Sequence, residues 1–332
     1  MKTYLVLFMA IISQAACAIP ESHFFETWNN EVLPFFQKGH QRTFVNHLGV
    51  KLNYYSFTSK ENTKTLVILP GRSEPAIKYA EVVYDLRDLG YNIYLLDHQG
   101  QGASERLLKD AHKGHVEFFV DYARDFSGWL DEVVVPETLG QEKFLLAHSM
   151  GGTIGTLYLA YGKPVFKKAV LSCPMMEINT KPYKENIGRP LANILVLAGL
   201  GKKYAPGKGP YLPEADTFVK NEVTHSEARF DMAKSLFVSW PALALGGPTS
   251  RWVSQSLKTT KRIDRLAPKM KIPFLMFQSG LDLIVFPGRQ NSFCQKTPNC
   301  KKIVFKNSHH EVLQETDDIR NQAMNEIKKF LE

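Results

Sequence analysis

The chain has 332 residues, 44% of them hydrophobic, which is enough for one large core and fits a single α/β domain with an inserted subdomain. Its formal net charge is +8, yet no nucleic-acid recognition motif accompanies that charge. Beyond the N-terminus no stretch is long and apolar enough to span a bilayer.

At the N-terminus, Lys2 precedes the apolar run Leu5 to Ile12, and Ala16-Cys17-Ala18 offers small residues at both positions a signal peptidase reads. Residues 1–18 therefore read as a secretory signal peptide, leaving 19–332 as the mature domain, periplasmic or secreted. The alternative is a lipoprotein anchored through Cys17, although Gln14 stands where a branched apolar residue is expected.

Arg42 to Asn46 and Val50 to Phe57 look like an antiparallel hairpin at a sheet edge. Six apolar runs follow with the character of buried parallel strands: Thr65 to Leu69, Asn92 to Leu96, Lys143 to Ala147, Ala169 to Cys173, Pro273 to Phe277 and Lys302 to Phe305. Helical patterns lie between them at Ile77 to Leu89 and Phe118 to Val134, and another follows the last strand at Asp317 to Leu331. From about Met175 to Lys271 the alternation stops. That segment is rich in Gly, Pro, Lys and aromatics and is expected to lie over the carboxyl ends of the strands as a lid or cap.

Ala147-His148-Ser149-Met150-Gly151-Gly152 sits between an apolar strand and a helical run, the layout of a nucleophile elbow. Ser149 would be held into a cleft, and the N–H groups opening the helix could stabilise an oxyanion. Viewed alone, the same residues could merely open a helix beside a core strand.

A serine hydroxyl needs a base, and the base needs an acid to orient it. Asp282 follows one strand and the turn Ser279-Gly280; His309 and His310 follow the next strand. Asp317 and Asp318, by contrast, open the last helix, where acids suit the helix dipole. Periodicity does not separate His309 from His310. The oxyanion donors are expected at Met150 and, in the loop Pro70-Gly71-Arg72-Ser73, at Arg72.

Gly199-Leu200-Gly201-Lys202-Lys203 lacks the spacing of a phosphate loop, and His112 and His115 have no partner set for zinc, so neither cofactor nor metal is expected. Cys173 lies in an apolar strand and reads as a buried thiol. Cys294 and Cys300 bracket a polar loop and are candidates to pair, though spacing alone does not fix geometry.

With these residues in hand, the chain resembles the α/β-hydrolase superfamily, and within it the bacterial lysophospholipases and their monoglyceride-lipase-like relatives. The likeness rests on Leu96-Asp97-His98-Gln99-Gly100-Gln101-Gly102-Ala103-Ser104, on Gly114-His115-Val116, and on Asp121-Tyr122. In the cap it rests on Asn221 to Ser226 with Arg229, on Gly246-Gly247-Pro248-Thr249, and on Trp252-Val253. His310-Glu311 matches the family's catalytic His-Glu pair and selects His310; Ala147 stands where the family has glycine.

The resemblance implies a Ser149-His310-Asp282 triad hydrolysing the ester of a single-chain lipid, a lysophospholipid or alternatively a monoacylglycerol. The other readings are a general carboxylesterase, acyl transfer through the same acyl-enzyme, and a catalytically silent binding protein. Ile194-Leu195-Val196-Leu197 and Leu243-Ala244-Leu245 are expected to cover the acyl chain. Lysines at 163, 167, 168, 181, 184, 202, 203 and 208 suit either a solvated surface or attraction to an anionic membrane surface, and the lysines of the 175–271 segment, with Arg229 and Arg251, are expected to meet lipid phosphates.

Overall fold

The structure is a computed structural model that describes residues 19–182 and 185–332; the signal-peptide and Cys17 expectations lie outside these residues. An eight-stranded sheet runs through the molecule. Its strands are β1 (His40–Val45), β2 (Lys51–Phe57), β3 (Lys64–Leu69), β4 (Tyr91–Leu96), β5 (Glu142–His148), β6 (Phe166–Ser172), β7 (Phe274–Ser279) and β8 (Cys300–Phe305), in the order β1-β2-β4-β3-β5-β6-β7-β8. β1 and β2 pair antiparallel, β2 joins β4 antiparallel, and every other pairing is parallel. The central strands are apolar on both faces because helices cover both. β4 is buried along its whole length, and β3 and β5 along all but their first residue.

The covering helices are α1 (Ala80–Leu86), α2 (Phe119–Trp129) and α3 (Ser149–Tyr161), then α4 (Glu185–Leu195), α5 (Glu227–Ser239) and α6 (Ser250–Thr260), and lastly α7 (Pro287–Gln295) and α8 (Asp317–Leu331). Two apolar clusters result. One holds Trp129, Phe126, Tyr158 and Phe166; the other holds Val82, Leu86, Phe277 and Ile327. Helical turns over residues 21–37, not anticipated from the sequence, add Phe24, Trp28, Val32 and Phe36 to the second cluster. No helix among the described residues is long and apolar enough to cross a membrane.

The segment between β6 and β7 carries α4, α5 and α6 and, among its described residues, no strand beyond isolated bridges. Its anchor is electrostatic. Arg229 on α5 is fully buried, donates to both Glu81 carboxylate oxygens at 2.9 and 3.0 Å, and reaches the Ile19 and Glu315 carbonyls. It is therefore an internal strap rather than a lipid-facing cation, a correction to the expectation for this residue. Part of the expected basic face is also displaced. Lys163 pairs with Asp131 and Lys167 with Glu142, and the Lys168 ammonium is held by the Phe330 carbonyl. Lys167 and Lys168 sit at the start of β6, the end of the strands opposite Ser149.

Cys294 and Cys300 form a disulfide with Cα atoms 5.4 Å apart, closing the turn between α7 and β8, and Cys173 is a buried free thiol.

Candidate active site

Ser149 sits where β5 turns sharply into α3. Its φ is +49°, a left-handed conformation that non-glycine residues adopt only when their surroundings impose it. The imposition comes from packing beneath the turn. A Cβ on Gly151 would lie 2.4 Å from the Leu69 carbonyl oxygen and 2.5 Å from that of Pro70, and one on Gly152 would lie 2.7 Å from the Pro174 Cβ. Ala147 is accommodated because Gly155 faces it: a Cβ at Gly155 would sit 3.5 Å from the Ala147 methyl.

The strands after the elbow deliver two further side chains to Ser149. His310, in the loop after β8, accepts the Ser149 hydroxyl at Nε2 over 2.8 Å and donates from Nδ1 to Asp282 Oδ2 over 2.7 Å. Asp282, in the loop after β7, is fixed by the Ile284 and Val285 N–H groups, each 2.8 Å from Oδ1. Burial disfavours a charged His310, but the Asp282 carboxylate outweighs it and holds the imidazole above its ordinary value. Burial likewise opposes ionisation of Asp282, and the His310 charge with three hydrogen bonds keeps it below the usual carboxylate range.

His309 turns away from this relay. Its ring stacks on His225 at 3.9 Å and its Nδ1 contacts the Leu281 carbonyl.

The loop after β3 faces the same point. The Gly71 N–H donates to Glu74 Oε2 at 2.6 Å, while no described residue accepts the Arg72 N–H. His98 donates to the Pro70 carbonyl at 3.0 Å and Gln101 to the Gly71 carbonyl at 2.7 Å. The Asp97-to-Ser104 segment thus acts as a clamp on this loop. Asp97 itself accepts from Ala76, Ala103 and Asn53. Met150, second residue of α3, has an N–H in the first helical turn, where no intrahelical acceptor exists.

Sequence reasoning did not find the buried ion cluster behind His310. Lys78 donates to Glu311 at 2.6 Å and to Glu74 at 3.0 Å; Tyr79 donates to Glu74 at 2.7 Å. Burial opposes both charges. Even so, the two carboxylates hold Lys78 above its ordinary value, and Lys78 holds Glu74 below its own. Burial beside Glu74 pushes Glu311 upward. His148, whose ring lies 4.9 Å from that of His310, is lowered to about 4 by burial and stays neutral.

A cavity of about 620 Å³ opens above Ser149. Met175, Ile178, Leu191, Ala192, Trp252 and Val253 contribute to its apolar wall, all six from the segment expected to form a cap. The particular residues expected there are elsewhere. Ile194 is 61% and Leu197 87% exposed on the outer face of the segment, and none of Leu243, Ala244 and Leu245 lines the cavity. Arg251 pairs with Glu117 at 3.0 Å rather than standing free. A hydroxyl relayed to a carboxylate through an imidazole, beside two free N–H groups and under an apolar cavity, can carry out acyl transfer from an ester or amide.

A family model described as serine aminopeptidase, S33, matches residues 60–317. The probable lysophospholipase L2 of Haemophilus influenzae is 34% identical over 316 residues, 94% of this chain and 98% of that protein. The lysophospholipase L2 of Escherichia coli strain K12 is 31% identical over 304 residues, covering 89% of this chain and 88% of that one. Among solved structures, a soluble variant of monoglyceride lipase from Saccharomyces cerevisiae aligns with a TM-score of 0.71. At 17% identity, covering 89% of this chain and 95% of that one, it speaks to the fold alone. From the match over residues 60–317 and the extent of the two lysophospholipase alignments, the chain belongs to the α/β-hydrolases, in the serine hydrolase family that includes lysophospholipase L2.

Proposed function

We propose that the protein is a lysophospholipase acting through an acyl-enzyme on Ser149. The observation that carries this reading is the Ser149-His310-Asp282 relay at the floor of an apolar cavity. The relatives named lysophospholipase L2 support the choice of lipid.

Ser149 Oγ attacks the ester carbonyl carbon while His310 Nε2 takes the hydroxyl proton. The Met150 and Arg72 N–H groups receive the negative charge that develops on the carbonyl oxygen. Asp282 keeps the His310 Nδ1–H in place and stabilises the imidazolium, which then protonates the departing glycerol oxygen. Water repeats the sequence on the acyl-enzyme, releasing fatty acid. His148 being neutral keeps a second positive charge away from the imidazolium.

The acyl chain lies along Met175, Ile178, Leu191 and Val253, where each buried methylene contributes about 0.8 kcal/mol. The test is fatty-acid release from a lysophospholipid, a monoacylglycerol and a short-chain ester. The reading predicts the highest kcat/KM on the lysophospholipid, rising with chain length until the cavity is filled. A preference for the monoacylglycerol, or indifference to chain length, would replace it with a monoacylglycerol lipase or a general esterase.

A further inference from the structure

Arg72 occupies an unusual position for a cation. It lines the same cavity as the reacting serine, and its backbone N–H is the oxyanion donor proposed above. Nη2 donates to the Gly246 carbonyl at 2.5 Å, Nη1 to Ser73 Oγ at 3.1 Å, and the guanidinium lies 5.2 Å from the centre of the Trp252 ring. Nε is buried and takes no partner. Among the described residues, no carboxylate comes within ion-pair distance of Arg72.

The contrast with the other buried arginines is informative. Arg229 meets Glu81 and Asp317, and Arg320 meets Asp85. Of the three acids that line the cavity, Glu74 and Glu311 are engaged by Lys78, and the third, Glu222, makes no ion pair with Arg72. A largely buried arginine without a counterion is costly, and burial lowers its pKa from 12.5 to about 10. An anion entering the cavity would relieve that cost. The neutral contacts already made use one N–H of each terminal nitrogen and leave the second N–H of each, the pair with which a guanidinium grips a phosphate, without an acceptor among the described residues.

We propose that the Arg72 guanidinium is the receptor for the substrate phosphate, so that one residue reads the ester through its backbone N–H and the headgroup through its side chain. This rests on the lysophospholipase reading. The spacing agrees with the chemistry: in a lysophospholipid the phosphate is joined to the scissile ester by the short glycerol backbone. A side chain springing from the oxyanion donor itself spans a similar reach. The Gly246 and Trp252 contacts hold the guanidinium in advance, so little side-chain entropy is lost on binding. A monoacylglycerol, lacking the phosphate, would leave the cation unpaired.

Arg72→Met removes the charge and keeps the backbone N–H. The experiment compares wild type and Arg72→Met on a lysophospholipid and a monoacylglycerol with the same acyl chain. The expected result is a fall of about 10- to 100-fold in the ratio of the two kcat/KM values, the size expected of charge-assisted hydrogen bonds. Loss of the strap to Gly246 would instead lower both values together and leave the ratio unchanged, which would overturn the proposal. Competition supplies an arm independent of lipid turnover. sn-Glycerol 3-phosphate should inhibit hydrolysis of a soluble short-chain ester by wild type, with an inhibition constant at least tenfold weaker in Arg72→Met. Equal inhibition of both proteins would also overturn it. A wild type that inhibition shows to bind glycerol phosphate but that releases no fatty acid from lysophospholipids would fault the parent reading and leave the phosphate receptor standing.

Discussion

The Glu74 carboxylate accepts the Gly71 N–H at 2.6 Å, which leaves the next N–H in the loop, that of Arg72, without an acceptor among the described residues. Glu74 is in turn held by Lys78 and Tyr79. Glu74 thus braces the loop that we propose carries an oxyanion donor, and a misplaced donor there is worth about 10²- to 10³-fold in kcat.

Glu74→Ala should therefore lower kcat by about 10- to 100-fold while KM for a soluble ester changes little. It should also lower the thermal midpoint, because Lys78 would keep only Glu311 as its partner. Steady-state kinetics with a melting curve measure both. A variant that melts early but keeps wild-type kcat would reduce Glu74 to a structural residue.

Acid sensitivity follows from the His310-Asp282 pair. The base must be neutral to accept the Ser149 proton, and Asp282 holds His310 above its ordinary value of 6.5. Activity should fall with decreasing pH around a midpoint above 6.5. Asp282→Asn removes the anion that favours the charged imidazole, so the surviving activity should show a midpoint displaced to lower pH. Its kcat should drop about 10⁴-fold, as loss of the orienting carboxylate does in comparable relays. A pH–rate profile of the variant with an unmoved acid limb would break the link between the two residues.

Gly151 and Ala147 make opposite predictions although they flank the same serine. A methyl at Gly151 meets two backbone carbonyls, of Leu69 and Pro70, that cannot yield without moving β3 and its loop. Gly151→Ala should cost at least 100-fold in kcat and a few kcal/mol of stability. Ala147→Gly only empties the space in front of Gly155, costing about 1 kcal/mol with kcat within a few-fold of wild type. Parallel kinetics and denaturant unfolding would distinguish the two positions.

Much of this architecture is written in local pattern. The parallel strands are continuous apolar runs because helices cover both faces, and the sequence places each of them within two residues of its observed bounds except at the start of β6, which begins three residues earlier, at Phe166. The elbow is legible because its glycines answer to backbone packing. What escaped is long-range. Glu74 and Lys78, four apart, look like a solvated helical pair, and only Glu311, brought in by the loop after β8, makes them a buried cluster.

Arg229 and the first lysines of the basic crowd carry no local mark of whether they end in the core, at the far end of the strands or in the site; the fold decides. Residues 21–37 did carry a signal. Phe24, Trp28, Val32 and Phe36 recur every fourth residue, an apolar stripe that the helix buries. Apolar character alone misplaced Ile194 and Leu197, because a helix over a cavity has an outer face as well as an inner one.

The central claim is that Ser149 forms the acyl-enzyme. Its most direct test is mass spectrometry of the digested protein after reaction with a fluorophosphonate, followed alongside loss of ester hydrolysis. The account predicts one adduct, on the peptide containing Ser149, rising in step with inactivation and absent from Ser149→Ala, whose turnover is lower by at least about 10⁴-fold. An adduct on another residue, or hydrolysis that survives complete labelling of Ser149, would contradict it.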